Sequence, residues 1–116
     1  MRLIHLAYLT RDKVASSGFE KYVLTNLDLT STALTWLSSL PIKSFVTVSS
    51  GARNDQTTGQ PETNLEANPY GFLKRVDELL FEDECARRGI TAVISRLWGA
   101  TGYDMLDAEK YAIGNF

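Results

Sequence analysis

One cysteine, Cys85, stands in the 116 residues. That excludes an intramolecular disulfide and a Cys-based zinc site, and makes a reducing, cytoplasmic setting the expectation. No apolar run approaches the roughly 18–20 residues of a membrane span, and the N-terminus lacks the charged-then-apolar order of a signal peptide. Basic clustering is missing too. The 12 Lys+Arg against 14 Asp+Glu leave a formal net charge of −2, and the longest purely basic run is Arg87-Arg88, so counterion release on nucleic acid has no patch to work with. Neither nucleic acid, membrane nor metal is an expected partner. What is present, 44% hydrophobic and 22% charged residues, is the composition of an ordinary globular domain rather than a disordered or collagen-like chain. A chain of this length can bury roughly two-thirds of its unfolded surface, enough for one core and not two.

The three prolines act as punctuation. Leu3-Ile4-His5-Leu6-Ala7 reads as a buried strand running into the polar Thr10-Arg11-Asp12-Lys13. Ser17 and Glu20 have capping-box spacing. Phe19, Val23, Leu27, Leu34 and Leu37 then recur at helical period, interrupted by Asn26 and Thr30, until Pro41 forbids continuation. Phe45-Val46-Thr47-Val48 is a second strand, closed by Ser49-Ser50-Gly51. Residues 52–67, with Asn54-Asp55, Gly59 and Pro61, form a polar loop. A second long helix is signalled at both ends: Asn68 as N-cap, Pro69 at the first helical position and Gly89 beyond the last. Its stripe reads Phe72, Leu73, Val76, Leu79 and Leu80, with Lys74/Glu78, Asp83/Arg87 and Glu84/Arg88 as i,i+4 pairs on the wet side. Cys85 fits as a small packing residue. Thr91-Ala92-Val93-Ile94-Ser95 is a third strand, and a last helix begins near Ala108. The order β-α-β-α-β predicts an α/β fold: a partial Rossmann-type, doubly wound parallel sheet.

In such a sheet ligands bind beyond the carboxyl ends of the strands, which here carry His5-Leu6-Ala7, Ser49-Ser50-Gly51-Ala52 and Arg96-Leu97-Trp98. Tyr70 and Lys74 open the adjacent helix four residues apart, so the ammonium can act on the phenol and favour its ionised form. By itself the pair is weak, since about 0.2 such pairs arise by chance at this composition. Its company is more specific. His5-Leu6-Ala7, Asn26-x-x-x-Thr30, the strand ending Ser49-Ser50-Gly51-Ala52, Pro69-Tyr70-Gly71-x-x-Lys74 and Arg96-Leu97-Trp98-x-x-x-Gly102 follow one another in an order and spacing that resemble the extended short-chain dehydrogenase/reductases. Within that family the likeness is to the NAD(P)-dependent nucleotide-sugar epimerases and dehydratases.

The resemblance implies that Tyr70 is the acid/base for a sugar hydroxyl, that Lys74 lowers its pKa and binds the nicotinamide ribose, and that Ser50 holds the reacting oxygen. It implies cofactor contacts, to NAD or NADP, at Leu6, Ala7, Ser49, Tyr70, Lys74 and Leu97, and substrate contacts at Ser50, Gly51, Ala52, Tyr70 and Gly99. Asn26 either backs the catalytic helix through a polar bridge or is satisfied locally. The His5 backbone lines the cleft, while its ring is structural. Family dehydratases carry Asp-Glu where this chain has Gly51 and Ala52, and C3/C5 epimerase-reductases carry a nearby Cys that is absent. That leaves a 4-epimerase or 4-ketoreductase on a nucleotide sugar.

Arg53-Asn54-Asp55 stands where relatives show Val-Tyr-Gly. No Gly-x-Gly-x-x-Gly fingerprint is present, and Gly99-x-x-Gly102 is no substitute, since the fingerprint needs its full glycine spacing between a first strand and the helix after it. Residues 1–107 are therefore expected to be the catalytic half of a Rossmann-type domain, and 108–116 the start of a substrate-binding region, with the pyrophosphate-binding half missing. The first strand would then keep an open edge, which favours self-association. A second reading is a non-catalytic interaction module that forms a homodimer through helices 19–40 and 69–88, as relatives do.

Overall fold

The computed structural model describes residues 1–98. Within them the chain runs β1 (Arg2–His5), α1 (Lys13–Ser17), α2 (Phe19–Ser39), β2 (Ser44–Ser50), a 3-10 turn (Gly51–Arg53), α3 (Pro69–Arg88) and β3 (Thr91–Leu97). The last helix near Ala108, Gly99 and Gly102 lie outside the described residues. The three strands form one parallel sheet in the order β1-β2-β3, with His5 opposite Thr47 and Ser50 opposite Leu97. This is the α/β architecture with all-parallel pairing expected of a partial Rossmann-type fold. Because all strands run the same way, their carboxyl ends share one edge of the sheet, beside the start of α3.

Alternation along β2 buries Phe45, Thr47 and Ser49 and turns Val46 outward, as the two-residue period of a strand requires. On the buried side, Ala33 and Leu37 from α2 and Phe81 and Cys85 from α3 close the core with Phe45, Ile42 and Ile90. The Phe45 and Phe81 rings lie 4.9 Å apart, tilted, a favoured aromatic arrangement. Both long helices therefore cover one face. On the other, the register neighbours Ile4, Val46 and Val93 remain exposed.

Pro41 and Gly89 delimit the helices as expected. Gly89 is left-handed (φ 66°), and the Ile90 amide bonds to the Cys85 carbonyl at 2.9 Å, a Schellman ending that delivers buried Ile90 to the core. At the other end of α2 the capping box does not form. Ser17 closes the short α1, and Gly18, at φ 82° and ψ 146°, stands at the α2 N-cap without a side-chain cap. That backbone conformation belongs to glycine.

The apolar stripes also differ from expectation. In α2 the buried line is Tyr22, Asn26, Thr30, Ala33 and Leu37, whereas Phe19 and Leu27 are exposed. In α3, Leu79 and Leu80 are exposed while Lys74, Asp77 and Glu78 are buried, so Lys74/Glu78 is not a pair on the wet side. The physical reason is the division of each helix. The halves near the sheet's amino edge pack apolar side chains, and the halves near its carboxyl edge bury polar ones around the site. A hydrophobic period is blind to the second kind of burial.

Candidate active site

Local contacts lock the start of α3 to the end of β2. Asn68 caps the helix by accepting from the Gly71 amide at 3.0 Å, and its own amide donates to the Ala52 carbonyl (3.0 Å) and Glu62 Oε2 (3.1 Å). Gly71 is what permits this approach: a Cβ there would stand 1.9 Å from the Ala52 carbonyl oxygen. The Ser49-Ser50-Gly51-Ala52 turn and the Tyr70-Gly71 helix start are thus held against each other. Ser50 is half-buried, and its hydroxyl accepts from the Ala52 amide at 3.1 Å. Gly51 is crowded for a different reason, since a Cβ there would fall 2.2 Å from the Trp98 ring.

Lys74 reaches along the helix to the strand edge and donates to the Val48 carbonyl at 3.0 Å. Its ammonium lies 5.9 Å from the centre of the Tyr70 ring and 3.6 Å from that of Tyr8. Tyr8 and Tyr70 meet edge-on, 6.0 Å between centres at 76°, and the Arg11 guanidinium is 5.8 Å from the Tyr70 ring. The Tyr70 ring therefore has two cations within 6 Å of its centre. Burial pushes the Lys74 ammonium below its ordinary pKa, against the pull of Asp77 and Glu78. Burial likewise raises the Tyr8 and Tyr22 hydroxyls, Tyr22 to about 12.

Asn26 and Thr30, one turn apart on α2, make separate polar contacts. The Asn26 amide clamps the loop after β1, accepting from the Leu9 N–H (2.8 Å) and donating to the Leu9 carbonyl (3.3 Å). The bridge to α3 is made by Thr30, whose hydroxyl donates to Asp77 Oδ1 at 2.6 Å. Asn26 sits too near the loop to span that gap, and Thr30, one turn on, faces α3. Asp77 is buried, and burial lifts its carboxyl to about 6 although Thr30 and Lys74 oppose the shift.

Glu78 ties three elements together. It receives both Arg96 Nε (2.9 Å) and Nη2 (3.0 Å) from β3, and Arg53 Nε of the 3-10 turn lies 2.9 Å from it. Burial alone would raise this carboxyl, but the arginines outweigh it and hold it below the usual range. His5 is buried against Phe81, 5.6 Å between ring centres, and Thr47 donates to its carbonyl at 2.9 Å. Burial and the Lys74 charge lower its pKa, which favours the neutral ring. Leu6, Ala7 and Leu97 lie exposed at the same edge, and Ser49 is buried beneath it.

Tyr8, Asp77 and the Glu78 hub have no motif in the sequence. Asp77 and Glu78 stand three and four residues past Lys74, so the helical face they share with it was the available signal. Tyr8 gave none, because the loop that presents it has no period.

Comparison with known families adds one finding: the model described as the NAD dependent epimerase/dehydratase family matches residues 2–111. Comparison with curated proteins gives no match.

Proposed function

The chain belongs to the NAD dependent epimerase/dehydratase family, and from that premise we propose that it carries the proton-handling half of a nucleotide-sugar 4-epimerase or 4-ketoreductase. Tyr70 is its acid/base, Lys74 the cation that eases loss of the phenolic proton, and Ser50 the group that orients the sugar oxygen. The observation that carries this reading is the Tyr70 ring with the Lys74 ammonium 5.9 Å and the Arg11 guanidinium 5.8 Å from its centre, Lys74 being held to the Val48 carbonyl. Gly51 and Ala52 offer no titratable group, so elimination of water is not part of the proposed chemistry.

NAD or NADP, when bound, supplies the hydride acceptor and donor. The residues present fit one end of that group. Lys74 and Tyr70 at the strand edge suit a nicotinamide ribose, whereas no glycine-rich loop in the sequence suits the pyrophosphate. Tyr70 would take the hydroxyl proton and return it, Ser50 would fix the oxygen, and the packed Ala52/Gly71 junction would keep the two at constant separation.

A second reading rests on the outer faces of α2 and α3. Leu24, Leu27, Trp36, Leu79 and Leu80 are exposed there, beside a groove of about 320 Å³ lined by Leu34, Thr35, Leu80, Glu84 and Arg87. A patch of that kind suits a second copy of the chain, giving a homodimer that retains its interface whether or not it turns over substrate. The buried thiol of Cys85 suits a cytoplasmic setting, and among the described residues no helix is long and apolar enough to cross a membrane. Titration with NADH, followed by its fluorescence, separates the readings. Saturable binding weakened by Lys74→Ala supports the enzyme, whereas no binding by a dimeric species supports the interaction module. Turnover of a nucleotide sugar that survives Tyr70→Phe would refute the acid/base role.

A further inference from the structure

Lys74 is a buried ammonium whose nearest acidic neighbours are occupied elsewhere. Asp77 accepts from Thr30 on α2 at 2.6 Å, and Glu78 is engaged by Arg53 and Arg96. One N–H of the ammonium goes to the Val48 carbonyl. What faces the remainder is the ring of Tyr8, with the nitrogen 3.6 Å from its centre. This is well inside the range at which a ring quadrupole attracts a cation, and desolvation strengthens that attraction. Tyr8 is also edge-on to Tyr70, and its own position is fixed by the next residue, Leu9, whose backbone is clamped on both sides by Asn26.

We infer that Tyr8 is a positioning residue: its ring, clamped from α2, holds the Lys74 ammonium in its charged form and aims it beside Tyr70. This rests on the reading of Tyr70 and Lys74 as the acid–base pair. A buried ammonium without a compensating neighbour sheds its proton, and a neutral amine would no longer ease ionisation of Tyr70. The groups that face Lys74 divide by element. His5 on β1, kept neutral, adds no charge. Asp77 and Glu78 on α3 favour the ammonium from a distance, and Arg11 in the loop lies 5.8 Å from the centre of the Tyr70 ring. Tyr8 alone is in direct face contact.

The test is a titration of Lys74 in the intact chain, with lysine carbon-13 labelled at Cε and the signal assigned by Lys74→Met. Tyr8→Phe keeps the ring and should leave the midpoint where it is. Tyr8→Leu should lower it by about one pH unit, a tenfold loss of proton affinity. Graded fluorination of phenylalanine at position 8 withdraws ring electron density at nearly constant shape, so it remains informative should Tyr8→Leu fail to fold; the midpoint should fall stepwise across the series. A flat series, or a Tyr8→Phe midpoint as low as that of Tyr8→Leu, overturns the inference. Neither cofactor nor substrate enters the measurement, so failure to bind NADH would leave this result standing.

Discussion

Asp77 is a buried carboxyl whose ionisation the fold resists, and replacing it by Asn measures that resistance. Its midpoint moves from 3.8 to about 6, equivalent to about 3 kcal/mol. The attraction of Lys74 is already contained in that midpoint, since it holds the carboxyl below where burial alone would put it. The folded chain binds this proton more tightly than the unfolded chain does. The stabilising contribution is therefore complete below 3.8 and is lost as pH rises through about 6. Asp77→Asn keeps an acceptor oxygen for Thr30 and removes the charge. Urea unfolding of both proteins at about pH 4.5 and about pH 8 should show the variant gaining roughly 2 kcal/mol on the parent between the two. Other carboxylates titrate alike in both proteins and cancel in the comparison. A difference independent of pH, or one that favours the parent at high pH, would refute a burial-dominated Asp77 and show that the Lys74 pair outweighs desolvation.

Gly71→Ala sets two effects against each other. Helix propensity favours Ala by about 1 kcal/mol, while the new Cβ falls 1.9 Å from the Ala52 carbonyl oxygen, an overlap that costs about 2–3 kcal/mol; a lowered urea midpoint is the expected net result. Glu78→Gln should destabilise the fold by roughly 2 kcal/mol, less than a fully buried pair because Arg96 stays half exposed. A thermal melt checks it, and faster amide exchange over residues 51–53 should accompany the loss.

Much of the fold was legible because its signals are local. Asn68, Pro69 and Gly89 fix α3 through backbone chemistry that acts within one turn, and the β-branched run at Phe45-Val46-Thr47-Val48 marks β2. The departures from the apolar pattern share one cause. Tyr22, Asn26 and Thr30 on α2 and Lys74, Asp77 and Glu78 on α3 are buried, yet only the tyrosine is apolar, so the hydrophobic period runs instead through Leu27, Leu79 and Leu80 on the outer faces. Phe19 is exposed as well, on a helix whose N-cap is Gly18 and not Ser17.

The sequence by itself determined the order β-α-β-α-β, the parallel pairing that order demands, and the spacing that sets Tyr70 and Lys74 on one turn of a helix. These follow from backbone geometry and from periods of two and 3.6 residues. Only the tertiary structure decided which partners meet. Tyr8 lies over Lys74, Thr30 rather than Asn26 bridges to α3, and Glu78 gathers Arg53 and Arg96. Each contact joins elements distant in the chain, and a polar side chain's burial depends on whether its partner arrives, which no local pattern encodes.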